Sequence, residues 1–165
     1  MVLDTETTGI DPAVDKVVDI SLVEVSRNGI KPLYNTLIHP NRDIPPTASA
    51  VHHITLKHVA DKPLFEEVWP TVMGYLEDAV IVAHNAQFDR AMIPETGQPW
   101  VCSYRLARHL WPDAPAHSNQ VLRYWMNLDI EAEAAHSAAG DTLVTAHVLP
   151  PTSLLSQAHC KNRPG

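Results

Sequence analysis

Apolar positions in the first forty residues alternate with polar ones or run together as β-branched stretches, and in the remainder they recur mostly at helical spacing. "VLD" leads into the TETTG turn. "KVVDISLVEVS" follows with a partly alternating pattern, "RNG" supplies turn chemistry, and "IKPLYNTLIHP" reads as its partner strand. Residues 1–38 are therefore expected to form an antiparallel meander. Only three residues precede Asp4, so the first strand is expected to be short. "PNRDIPP" breaks the pattern, and "TASAVHHITLKHVADKP" predicts short helices or turns. "LFEEVWPTVMGYLED" has helical spacing, with a kink expected at Pro70.

"AVIVAHN" is a short apolar run ending in polar residues, which suits a buried strand whose carboxyl end opens into a site, and "AQFDRAMI" then starts a helix. "WVCSYRLARHLWP", "SNQVLRYWMNL" and "AAGDTLVTAHVL" predict three further helices. The tryptophans and "RLARHLWP" read as core-facing helix with basic residues outside, among them Arg105 and Arg108 as a candidate phosphate patch. Periodicity stops after Pro150, so residues 150–165 are expected to be a disordered or truncated tail behind one domain spanning 1–149. A meander followed by β–α units predicts an α/β fold with a mixed sheet.

Composition narrows the classes. Apolar residues make up 45% of the 165 and charged residues 19%, which is globular, and no run approaches the roughly 20 apolar residues of a membrane helix. The start lacks a positive segment leading into an apolar core, and Cys102 and Cys160 stand far apart, so a cytoplasmic protein with no membrane partner is expected. A net charge of −7 argues against coating nucleic acid by broad phosphate neutralisation, although gripping one strand end stays compatible with it. Carboxylates that hold metal ions count as negative in that sum, while the bound ions reverse the local sign.

Three short stretches carry the chemistry. In a strand, residues i and i+2 face the same way, so Asp4 and Glu6 aim two carboxylates at one spot, about 7 Å apart along the backbone. Either both are solvated beside a turn, or a hard divalent cation with a preference for oxygen ligands sits between them. In "HNAQFD", Asp89 falls in the first turn of a helix, as a dipole partner or as a further ligand. In "HSAAGD", Asp141 is again a first-turn residue or a ligand. Five residues of continuous helix rotate about 500°, which would put His136 and Asp141 on different faces, so a shared site requires the helix to begin between them. A histidine on the preceding loop, with an ordinary pKa of about 6.5, suits a general base acting on water.

D-x-E-T-T-G, H-N-A-x-F-D and H-x-A-x-x-D, in that order, resemble the DnaQ-like 3′–5′ exonucleases of the DEDDh type, a branch of the ribonuclease H-like fold. The resemblance implies a mixed central sheet of about five strands flanked by helices. It implies that Asp4, Glu6, Asp89 and Asp141 hold two divalent cations, Mg²⁺ or Mn²⁺, and that His136 is the general base. The tyrosine type of the family has its Tyr where this chain has Ser137. It further implies that Thr5, Thr7, Thr8 and Gly9 line the pocket for the terminal nucleotide, that His52 and Ile54 touch the 3′ end, that Asn85 lies near the backbone, and that Phe88 stacks on bases.

The implied function is hydrolysis of phosphodiester bonds at single-stranded or frayed DNA 3′ ends to nucleoside 5′-monophosphates, in DNA repair. A proofreading subunit of a replicative polymerase and an exoribonuclease share that chemistry and differ in partner or sugar. A catalytically silent nucleic-acid-binding module is the competing class. Structural zinc at His52, His53 and His58 is disfavoured, because neither paired Cys nor H-E-x-x-H is present. Oligomeric state has no signature in the sequence.

Overall fold

The computed structural model describes residues 1–130 and 137–150. Five strands form one mixed sheet in the order β3-β2-β1-β4-β5, where β1 is Val2–Thr7, β2 Val17–Ser26, β3 Gly29–Leu37, β4 Ile81–Ala83 and β5 Trp100–Cys102. β1, β2 and β3 pair antiparallel; β4 and β5 run parallel to β1. The meander is as expected. β1 extends to Thr7, so both Asp4 and Glu6 lie within a strand at the middle of the sheet.

The helices are α1 (Pro46–His52), α2 (Leu56–Val59), α3 (Phe65–Leu76), α4 (Ala86–Met92), α5 (Ser103–Leu110), α6 (Asn119–Trp125) and α7 (Ala138–Val148). α3 includes Pro70 as one element: the proline leaves a single carbonyl without its helical partner and the helix continues around it. One expectation fails at residues 100–102, where "WVC" forms β5 and the helix begins only at Ser103. Three residues cannot establish a period, and parallel pairing with β4 fixes their conformation.

Alternation along β1 and β2 assigns the two faces. Leu3, Ile20 and Leu22 pack with Val68, Val72 and Leu76 of α3 and with Ile81 in the larger core cluster. Val2, Val23 and Val82 meet Ala146 of α7 on the opposite face. That face also carries Asp4, Glu6, Asp19 and Ser21, because Asp4 pairs with Ser21 and Glu6 with Asp19 across the β1–β2 ladder. The Ser21 hydroxyl meets Thr142 Oγ1 of α7 at 2.9 Å, so polar side chains hold this end of the interface.

The turn after β1 is closed by its own side chains. Thr8 Oγ1 donates to Asp15 at 2.9 Å and accepts from the Lys16 N–H at 3.0 Å, while the Asp15 carboxylate also accepts from the Asp11 N–H and pairs with Arg42. These donors, first among them the Asp11 N–H, hold the Asp15 carboxyl below its ordinary pKa. A Cβ on Gly9 would stand 2.6 Å from Asp15 Cγ. Gly9→Ala is therefore expected to lower stability by about 1–3 kcal/mol, the range for overpacking, seen as a lower urea midpoint at unchanged slope. Asp15→Ala in the same background should return part of that loss, since it removes the atoms that collide.

Candidate active site

β1 carries Asp4 and Glu6 to the carboxyl end of the sheet, and α7 crosses the same face with Asp141 in its first turn. Each of these three carboxylates offers an oxygen within 4.8 Å of the other two. Asp89 approaches from α4 along the other edge of β1. The β1–β4 ladder is confined to Val2 and Val82, so the Thr5 N–H lacks a strand partner and donates to Asp89 Oδ1 at 3.1 Å; Thr5 Oγ1 donates to the same oxygen at 2.9 Å. Asp89 is thereby fixed beside Asp4 and Glu6, with only 2% of its surface exposed. Asp4, Thr5, Glu6, Asp89 and Asp141 line an open cavity of about 410 Å³ together with Phe88 and His84.

α7 begins at Ala138, with Ser137 as its N-cap accepting from the Gly140 N–H at 3.1 Å. The helix thus starts between residues 136 and 141, as a shared site requires. His136 itself lies outside the described residues, as do residues 151–165 of the expected tail.

The other expected contacts divide into two groups. Thr5 and Phe88 line the cavity, and Asn85, between the cavity-lining His84 and α4, is exposed and in the left-handed conformation. Thr7 Oγ1 donates to the Gly9 carbonyl at 2.6 Å, and Thr8 and Gly9 build the turn described above. His52 is buried: its Nδ1 accepts from the Ile54 N–H at 3.0 Å, which leaves Nε2–H to donate to the Thr7 carbonyl at 3.2 Å. Ile54 packs with Val18 and Val59. His52 and Ile54 therefore brace the end of β1 from behind, and neither borders the cavity.

Sequence reasoning missed several residues around the cluster. Asp19 is buried opposite Glu6, and its Oδ2 accepts from the Ala138 N–H at 3.2 Å, so it seats the start of α7 on the sheet. Asn119 spans α6 and α7: its amide donates to the Asp141 carbonyl at 3.4 Å, and its oxygen accepts from Thr145 Oγ1 at 3.2 Å. The Gln120 amide reaches Asp141 Oδ1 at 3.5 Å. His84 Nδ1 lies 3.0 Å from Ser103 Oγ. In the sequence, Asp19 looks like the polar phase of an amphipathic strand, and "SNQ" looks like the cap of α6; strand register and helix crossing give them their places.

A family model described as "Exonuclease" matches residues 1–149. The chain belongs to the DnaQ-like exonuclease family. It is 38% identical over 151 residues to exodeoxyribonuclease 10 of Escherichia coli K12, covering 90% of this chain and 66% of that protein's length. It is 31% identical over 173 residues to the DNA polymerase III subunit epsilon of Treponema pallidum, covering 96% of this chain and 80% of that one. A solved structure of exonuclease X in complex with 5′-overhanging duplex DNA superposes with a TM-score of 0.80 at 36% identity, covering 96% of this chain and 92% of the other. The ribonuclease H-like fold of the DnaQ-like exonucleases is thus the fold of this chain.

Electrostatics of the carboxylate cluster follow from burial and crowding. Desolvation, then repulsion from Asp89, Glu6, Asp141 and Asp19, pushes the Asp4 carboxyl well above the ordinary range. Desolvation and the neighbouring carboxylates push Glu6 to about 8, and desolvation takes Asp89 to about 7 against the bonds from Thr5. Burial likewise carries Asp19 to about 6. Among the described residues no Lys or Arg lines the cavity to offset this charge.

A pH dependence follows. Folded pKa values above the unfolded ones, near 4, mean that the folded protein binds more protons than the unfolded chain from about pH 4 to 8. The stability these groups contribute is present below about pH 4 and lost as pH rises through 7 and 8. His84, lowered by burial to about 4, opposes this slope below about pH 6.5, as does His52; the partly buried Met1 amine opposes it near pH 8. Metal-free protein is expected to melt at progressively lower temperature from pH 6.5 to 8, and Glu6→Gln to flatten that trend. A melting temperature that rises through this window in chelator would contradict it.

Proposed function

We propose that residues 1–149 form the catalytic domain of a metal-dependent 3′–5′ exonuclease that trims single-stranded or frayed DNA ends in repair, releasing nucleoside 5′-monophosphates. The observation that carries this reading is the convergence of Asp4, Glu6 and Asp141 oxygens within 4.8 Å, with Asp89 beside them, in a cavity open to solvent. The donor set suits hard divalent ions: it is all oxygen, crowded and without a neighbouring cation among the described residues. Asp4, Glu6, Asp89 and Asp141 are the residues that would hold them. When bound, two Mg²⁺ or Mn²⁺ ions supply Lewis-acid activation of water and charge neutralisation at the leaving oxygen.

The chain's own groups supply the rest. Asp89 is kept in place by the two Thr5 bonds, and Asp141 by the start of α7, which Asp19 and Asn119 seat. His136 takes the proton from the attacking water. Phe88 stacks against a base near the 3′ end, with Thr5 beside the terminal nucleotide and Asn85 near the backbone. Thr7, Thr8 and Gly9 shape the turn that follows Glu6 at the end of β1, and His52 with Ile54 supports it.

The likeness to exodeoxyribonuclease 10 and to a DNA-bound exonuclease X favours DNA over RNA as substrate. The likeness to polymerase III epsilon supports a second reading, a proofreading exonuclease with a polymerase partner, for which co-purification with a polymerase is the test. For the first reading, a 20-nucleotide DNA labelled at its 5′ end should shorten stepwise from the 3′ end with 5′-mononucleotides as product, and faster than RNA of the same sequence. Internal cuts, or shortening from the 5′ end, would contradict it.

A further inference from the structure

We infer that the outward face of α6 is a stacking shelf for the bases of the single strand whose 3′ end occupies the catalytic cavity, an inference that rests on the exonuclease reading. Gln120 borders the cavity, and it also borders a shallow apolar hollow formed with Pro115, Val121, Tyr124 and Trp125. The two depressions therefore share Gln120 as a lining residue. Positions 120 and 124, and likewise 121 and 125, are one helical turn apart, so these side chains form a single stripe leading away from the carboxylates. The inward side of α6 carries Leu122 and Asn119, both buried, so this packing fixes which face looks out.

Tyr124 is 72% exposed, and Trp125, expected with the other tryptophans in core-facing helix, is 40% exposed. Scattered single apolar residues on a surface are ordinary; two large aromatics side by side, joined to Val121 and Pro115 and abutting a catalytic cavity, are a contiguous patch. The Arg123 guanidinium lies 5.6 Å from the centre of the Tyr124 ring and is itself tied by a hydrogen bond to the Ile130 carbonyl. One face of the ring is braced by a fixed cation, so stacking on it orders little that is not already ordered. Aromatic rings accept any base, and the brace places a positive charge beside a strand of phosphates on a chain whose net charge is −7. The occupant this surface fits is single-stranded nucleic acid upstream of the scissile bond, and the shelf would confer length dependence without sequence preference.

The test measures equilibrium binding of a fluorescent 16-nucleotide single-stranded DNA, with cleavage of the same 16-mer and of the p-nitrophenyl ester of thymidine 5′-monophosphate alongside. Base–aromatic stacking typically supports about 5- to 150-fold in affinity per ring. Tyr124→Ala and Trp125→Ala are each expected to weaken 16-mer binding and raise its KM at least fivefold, with Tyr124→Phe restoring the wild-type value. The defect should shrink as the substrate is shortened towards the ester, which reaches only the cavity. Unchanged 16-mer affinity in both alanine variants would overturn the inference, as would an equal loss on 16-mer and ester, which would mean that α6 had shifted Gln120 and Asp141. Loss of a wild-type dimer in Tyr124→Ala, with DNA binding intact, would reassign the face to a second copy of the chain. Wild-type protein inert towards both substrates yet binding the 16-mer through Tyr124 would sink the exonuclease reading and leave the shelf standing.

Discussion

Asp4→Asn is expected to lower kcat for DNA cleavage by about a thousandfold or more while raising the melting temperature of the metal-free protein. Both effects come from one oxygen. Asp4 sits on the central strand with carboxylate oxygens of Glu6 and Asp141 within 4.8 Å, and its own carboxyl is pushed upward by burial and by four acidic neighbours. Replacing it with the neutral isostere relieves the cost of burying a carboxylate there and then the repulsion from its acidic neighbours, so the metal-free fold should gain stability at neutral pH. The same change removes a charged oxygen from the proposed cation site, and a thousandfold loss requires only about 4 kcal/mol of transition-state stabilisation. Thermal melts in chelator and single-turnover cleavage in Mg²⁺ measure the two effects separately. A variant that loses stability and keeps activity would show that Asp4 is a structural carboxylate.

The second large effect distinguishes two roles of Asp89. Asp89→Ala strips the acceptor from the Thr5 N–H and from Thr5 Oγ1, both buried, and leaving such donors unsatisfied costs about 1–3 kcal/mol each. A total of roughly 2–6 kcal/mol is a large share of the 5–15 kcal/mol typical of a domain. Asp89→Asn keeps an oxygen at the same place and removes a buried carboxyl that desolvation pushes to about 7, so metal-free stability should equal or exceed that of wild type at neutral pH while cleavage falls as far as in Asp89→Ala. Denaturant unfolding beside cleavage rates checks this. Equal destabilisation by the two substitutions would mean that the charge, and not the acceptor, holds Thr5.

These contrasts also mark what could be read from the sequence. Asp4 and Glu6 were legible as a pair because strand geometry puts i and i+2 on one face whatever the rest of the fold does. The start of α7 between 136 and 141 was legible because a continuous helix would have separated the two positions. Asp19 was hidden: an acidic residue in "VVDIS" satisfies strand alternation, and only the Glu6–Asp19 register turns it towards the cluster and under the Ala138 N–H. β5 was hidden because its three residues adjoin α5 directly and take their conformation from β4. His52 shows a different limit. Motif resemblance gave it a place near the 3′ end; only the fold reveals that its ring also makes two backbone bonds, to Ile54 and to Thr7, by which it holds the end of β1 in place.

The most direct measurement is cleavage of a 5′-labelled single-stranded DNA as Mg²⁺ or Mn²⁺ is titrated, beside chelator and Asp141→Ala controls. A metal-bound carboxylate site predicts a ladder receding from the 3′ end that rises with metal concentration and vanishes in both controls. Folded, metal-saturated protein that leaves the DNA intact, or Asp141→Ala protein that cuts as well as wild type, would contradict it.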